Sequence, residues 1–109
     1  METILLSIKP EYVSAILDGS KLFEYRKRIP QRKVDRIIIY STSPVMAVVG
    51  EVCVLGVISA CPSPLWEKTK AHAGISRKKY REYFKGYNTA YAFQLGEVTK
   101  FSKPKFTRA

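Results

Sequence analysis

Apolar positions along the 109-residue chain fall in short runs separated by turn residues, and the period of those runs changes several times. Ile4 to Ile8 reads as a first strand. Pro10, directly after Lys9, suits the first position of a helix, where its missing N–H has no intrahelical partner. Tyr12, Val13, Ile16 and Leu17 then recur at the spacing of one helical face, which predicts about two turns of helix. Gly19 after Asp18 supplies the stop, because glycine adopts the left-handed conformation that ends helices at little cost. Leu22 to Arg26 reads as a second strand, in which the alternation of side chains sends Glu24 and Arg26 to one face and Phe23 and Tyr25 to the other.

Residues 29–36, with Pro30 and several charges, read as a loop before a strand from Ile37 to Thr42, and Ser43-Pro44 marks a turn. Between Met46 and Ala60 the chain is rich in Val, Ile and Leu, and Gly50 and Gly56 stand where bulges would let a long strand curl around a small barrel. Pro62 and Pro64 end that strand, and Leu65 to Lys70 suggests a helical turn. Ser76 is a suitable N-cap for a helix running to Gly86, with Ile75 and Tyr80 as its hydrophobic staple. In that helix Tyr80, Tyr83 and Phe84 are expected to face the core, while Arg77, Arg81 and Lys85, four apart, line the outer side as a basic stripe. A last strand, Ala90 to Leu95, precedes a basic tail over residues 102–109 that contains Pro104 and is expected to be loosely ordered. No repeat or low-complexity segment interrupts this order, so the expected division is one domain over residues 1–101 followed by the tail.

Composition and motif spacing add four constraints. An apolar fraction of 46% is enough for a core without help from metals or disulfides. No stretch approaches the roughly 18 to 20 consecutive apolar residues of a membrane span, and Met1 leads directly into a strand with no leader pattern, so a cytoplasmic location is expected. Cys53 and Cys61 lie eight apart with no C-x-x-C spacing or adjoining histidine, which argues for two buried thiols and against a zinc site or redox pair. No metal or cofactor is called for, since neither a carboxylate pair at ligand spacing nor a Gly-rich phosphate loop is present.

Charge changes the picture most. The chain has 19 Lys and Arg against 9 Asp and Glu, a formal +10, and the basic residues gather in three blocks: residues 26–36, 68–85 and 100–108. An excess of this kind favours polyanions, whereas a protein that is merely charged for stability carries matching glutamate. Nucleic acid is therefore the expected partner, with Lys27, Arg28, Arg77, Arg81 and Lys85 as its surface. The oligomeric state is not legible.

The segment Gly19-Ser20-Lys21-Leu22-Phe23-Glu24-Tyr25-Arg26 fits the pattern G-x-K-x-x-E-x-R, which resembles the signature of the ASCH superfamily, small domains related to PUA-like barrels. The order of the remaining elements from residue 4 to residue 98, through Tyr40-Ser41-Thr42-Ser43-Pro44, Val49-Gly50-Glu51-Val52 and a Trp66-containing region to Ala90-Tyr91-Ala92, is similar to the branch described as predicted transcriptional regulators. The resemblance implies an α+β fold, a PUA-like mixed β-barrel of five to six strands with two to three helices. It also implies a cleft lined by the signature residues, with RNA or a nucleotide-like ligand as the expected guest.

Elementary geometry supports such a site. A glycine-ended helix delivers Lys21 to an opening, and Glu24 and Arg26 follow on one face of the next strand, roughly 6 to 7 Å apart at Cα. There Glu24 can hold either cation while leaving donors for a phosphate or a base edge. The plain alternative is a surface ion pair of about 0 to 1 kcal/mol. Lys9, Ser41 and Thr42 are further candidates for the same opening. Glu51, among apolar neighbours, reads either as a buried partner of a signature cation, the reading adopted, or as an outward residue beside Gly50. Trp66 and Tyr40 are candidates to stack on a base, although aromatics in a small domain more often belong to the core.

An RNA-binding role is preferred to catalysis. The resemblance also reaches small ASCH amidohydrolases acting on acylated nucleosides such as N4-acetylcytidine, which pair the signature lysine with a threonine where this chain has Glu24 and with a later carboxylate that residues 70–74 do not supply. If the chain is an enzyme, Lys21 is the expected catalytic residue. Ribonuclease chemistry would have His72 as its sole imidazole. A DNA-associated regulator would need the helix after Ser76 in a major groove, where its outward face offers arginines and lysines but no Asn or Gln.

Overall fold

A computed structural model describes residues 2–106. In chain order it contains β1 (Thr3–Ile8), α1 (Pro10–Leu17), β2 (Phe23–Arg26), β3 (Arg36–Ser41), β4 (Ala47–Ala60), α2 (Pro62–Thr69), a 3-10 turn (Lys70–His72), α3 (Arg77–Tyr83) and β5 (Ala90–Phe106). The strands form one mixed sheet in the order β1-β3-β4-β5-β2. β1 runs parallel to β3, as the crossover through α1 and β2 allows, and the other pairings are antiparallel. The ladder between β4 and β5 slips between Val48 and Gly50, between Val52 and Val54, and between Val54 and Gly56, so two of these irregularities fall at the two glycines. The sheet curls into a half-barrel whose open side lies between its edge strands, β1 and β2.

Two cores fill the molecule. Ile37 and Ile39, alternate residues of β3, lie fully buried with Val13 and Ile16 of α1 and with Phe93 and Leu95 of β5. The second core is aromatic: Tyr80 meets Tyr25 and Phe84 edge to face, each at 4.9 Å between ring centroids, with small Ala90 and Ala92 of β5 in the same cluster. This second core seats α3 against β2 and so sets the distance between them.

Four local expectations change. Helix α2 starts at Pro62, earlier than the turn from Leu65, because both prolines fit its first turn, where no N–H is needed. Helix α3 begins after Ser76, whose Oγ accepts from the Lys79 amide at 3.1 Å, but ends at Tyr83 instead of reaching Gly86. β5 does not stop at Leu95. It continues to Phe106 and pairs Lys105 and Phe106 with Val48 and Ala47, so residues 102–106 are strand where a loose tail was expected; residues 107–109 lie outside the described ones. Pairing satisfies the backbone groups of early β4, and Pro104 falls in the register slip between Lys100 and Lys105, where no ladder N–H is required of it. Finally, neither cysteine is buried: Cys53 is half-buried and Cys61 is exposed where the chain leaves β4 for α2. Among the described residues no helix is long and apolar enough to cross a membrane.

Candidate functional site

The turn after α1 is built to deliver Lys21 inward. Gly19 has φ +86°, the Ser20 amide donates to Asp18 Oδ1 at 2.8 Å, and the Lys21 amide donates back to the Ala15 carbonyl at 3.0 Å. The Lys21 side chain is only 2% exposed. Its ammonium donates to the Ala73 carbonyl at 2.6 Å and sits over two rings, 4.8 Å from the centroid of Tyr25 and 5.3 Å from that of Tyr12. Burial lowers its pKa from 10.5 to about 8, only partly opposed by the Glu24 carboxylate. Gly74, at φ +64°, lies against the lysine stem, and a Cβ there would fall 2.5 Å from Lys21 Cβ.

Glu24 is the buried member of β2 that binds Arg26. Arg26 Nε donates to Glu24 Oε2 at 3.0 Å, and Arg26 Nη2 donates to the Ser7 carbonyl of β1 at 2.9 Å. The guanidinium thus spans the open side of the half-barrel and satisfies an edge carbonyl that no strand pairs. Burial raises the Glu24 pKa, against the pull of Arg26 first and Lys21 second. Of the two cations Glu24 was expected to hold, it bonds Arg26 and reaches Lys21 through its field, while a carbonyl and two rings hold the lysine.

These groups line a cleft of about 490 Å³ together with Lys9, Tyr12 and Ser7 on one side and Lys79, Glu82 and Tyr83 of α3 on the other. Lys79 Nζ meets Glu11 Oε2 at 3.3 Å, tying α3 to α1 across the rim. Three candidates lie elsewhere. Ser41 is buried beside Ile8 in the β1–β3 ladder, and the Thr42 amide donates to the Ile8 carbonyl at 3.0 Å, so neither lines the cleft. Glu51 is not the partner of a signature cation: it pairs with Arg36 at 3.1 Å, its diagonal neighbour across β3 and β4. His72 and Tyr40 line no part of it either.

Several cleft residues do not announce themselves in the sequence. Tyr83 reads there as core, Tyr12 as one member of a helical face, and Lys79 as one more lysine. At two positions from Arg77, however, Lys79 must face away from the basic stripe, and that offset is readable. Gly74 and the Ala73 carbonyl carry no sequence signal, because a backbone acceptor 52 residues from its lysine exists only once the two segments have met.

A second hollow, of about 620 Å³, lies on the opposite side of α3 between α2 and the helix, lined by Trp66, Arg77, Tyr80, Arg81, Phe84 and Tyr87 among others. Trp66 packs on Tyr80 at 4.8 Å between ring centroids and keeps part of its surface open. Lys27 stands between the hollows, its ammonium 4.5 Å from the Tyr83 centroid and 5.0 Å from that of Tyr87. Arg28 and Lys85 line neither hollow.

Comparison with known proteins agrees with this fold. The ASCH domain model matches residues 6–104. The chain is 37% identical over 92 residues to an ASCH domain-containing ribonuclease of Zymomonas mobilis, a match covering 84% of this chain and 62% of that protein. It is also 34% identical over 105 residues to a protein named ATP synthase subunit alpha in Ureaplasma parvum, a match covering 95% of this chain and only 13% of that protein. It thus covers less than two thirds of either relative. Among solved structures, a point mutant of the Zymomonas mobilis ASCH protein superposes with a TM-score of 0.91 at 32% identity, covering 97% of this chain and 76% of that one. The unmutated protein gives 0.87 at 34% identity, covering 94% and 71%. Signature, fold and matched length agree, and the chain belongs to the ASCH domain family.

Proposed function

We propose that this domain binds single-stranded RNA, with one nucleotide held in the cleft under Lys21 and Arg26. The observation that carries the reading is the pairing of a buried lysine and a half-buried, pre-aimed arginine with a hollow walled by Tyr12 and Tyr83. Its volume of about 490 Å³ is within the range of small-ligand sites, about 300–1,000 Å³. Arg26 spends Nε on Glu24 and Nη2 on Ser7, so its orientation is set before any guest arrives, while Lys9 at the rim attracts the phosphate backbone. A polyanion also suits the formal +10 of the chain, and the relative named a ribonuclease makes RNA the favoured polyanion. Binding without cleavage would make the domain a regulator.

A second reading, RNA cleavage, is favoured by the lowered pKa of Lys21, since an amine titrating near 8 can accept a proton from a ribose 2′-hydroxyl at ordinary pH. The two readings have opposite pH dependence. Binding uses the protonated amine and weakens as pH rises through about 8, whereas cleavage uses the neutral amine and speeds up over the same interval. Titrating labelled single-stranded RNA, duplex DNA and free nucleotides against wild type and Lys21→Met, with gel analysis of the RNA, tests both. The expected result is preferential RNA binding that Lys21→Met weakens by about tenfold or more. Equal affinity for every ligand in both proteins would reject a specific site, and cleavage abolished by Lys21→Met would establish the second reading.

A further inference from the structure

We propose that the groove between α2 and α3 is a second subsite, which takes nucleotides flanking the one in the cleft along the same RNA strand. The inference rests on the RNA reading and extends it to a different surface. Helix α3 is a partition: Lys79, Glu82 and Tyr83 face the cleft, while Arg77, Arg81 and Phe84 face the groove. A strand leaving the cleft meets Lys27 next, whose ammonium lies over Tyr83 of the first hollow and Tyr87 of the second. The path is therefore cationic where it crosses and aromatic on both sides.

The groove has the chemistry of a single-strand site. Trp66 and Tyr87, the latter 40% exposed, offer ring surface to a base, and every base has a face to stack regardless of its identity. Arg77 and Arg81, one helical turn apart, supply the charge for the adjoining phosphates. Glu67, the acid in the groove lining, is held first by Lys70 at 2.7 Å and feels Arg77 more weakly, so Arg81 keeps its charge for a phosphate. α3 is about 10 Å across with its side chains, so both hollows can be occupied only by a strand longer than a dinucleotide.

Trp66 is the sole tryptophan of the chain, which makes its emission a direct report from the groove. The experiment compares oligouridylates of about two and about eight nucleotides by fluorescence titration with wild type, Tyr87→Ala, Arg81→Ala and Arg26→Ala, each checked for folding by circular dichroism. The octamer is expected to bind at least about tenfold more tightly than the dinucleotide and to quench Trp66, while the dinucleotide leaves the emission unchanged. Tyr87→Ala and Arg81→Ala, at exposed positions, should each weaken the octamer about three- to tenfold and leave the dinucleotide unaffected. Arg26→Ala should weaken both. If both lengths bind alike, or the octamer binds without changing Trp66 emission, the groove is no subsite, although the cleft reading stands provided Arg26→Ala still weakens binding. If wild type binds neither RNA, both proposals fall together.

Discussion

On one side of α3, Lys21 and Glu24 are buried, Arg26 is half-buried, and each is tied to a named partner; on the other, Arg77 and Arg81 stand in solvent along an aromatic groove. Withdrawing a charge is costly, and here the cost is visible as a lysine pushed down and a glutamate pushed up. In exchange the three groups hold one geometry before a ligand arrives. Exposed arginines keep their hydration and rotamer freedom, attract any polyanion and specify little. The difference teaches that a total of positive charge describes attraction, and burial of a few charges describes discrimination.

The sharpest way to break this contrast is to remove one charge from each side. Arg26→Ala strands the Glu24 carboxylate in a buried position and is expected to cost about 2 to 3 kcal/mol in urea unfolding, somewhat below the range for fully buried pairs because the Arg26 side chain is 25% exposed. Arg81→Ala should stay within about 0.5 kcal/mol. Equal losses would erase the distinction. A pair of glycines sharpens it. Gly74→Ala combines left-handed backbone strain with collision against the Lys21 stem, whereas a methyl at Gly19 meets nothing within 4 Å. Strain alone costs about 1 to 2 kcal/mol. Gly74→Ala should exceed Gly19→Ala by about 1 kcal/mol and should also weaken nucleotide binding. The smallest effect on stability belongs to the triple alanine variant of Arg77, Arg81 and Lys85, within about 1 kcal/mol of wild type. Its signature lies in salt dependence, where log affinity against log salt should flatten by about 0.7 for each phosphate that the variant no longer neutralises.

Much of the fold was legible because the local signals agree with the global outcome. Pro10, Gly19 and Ser76 bound their helices as expected, and Gly50 and Gly56 mark real slips in the ladder. The extent of β5 was not legible. Its residues beyond Leu95 are largely polar and contain Pro104, and only the unpaired length of β4 explains why they extend alongside it. Lys21, Glu24 and Arg26 line one cleft, but Lys21 lies buried against the Ala73 carbonyl, a partner no spacing in the sequence indicates. Glu51 shows the limit of that reasoning: an acid among apolar neighbours suggested a buried partner, but pairing across two strands gave it Arg36, fifteen residues away, a contact set by register. Trp66, weighed between core and stacking, is half of each, packed on Tyr80 and open to the groove.

An anion entering the cleft would meet a lysine already withdrawn from water, and the titration of Lys21 Nζ measures this directly. Followed by lysine-selective nitrogen NMR in the free protein, the amine should titrate near 8. Because that is below the ordinary 10.5, the unfolded chain holds more protons between the two values, and fold stability should rise with pH across that window and rise less in Lys21→Met. With saturating single-stranded RNA the midpoint should move upward, since a phosphate beside the ammonium favours its charged form. A free-protein midpoint above about 10, the ordinary lysine range, or one near 8 that RNA leaves unmoved, would contradict the account.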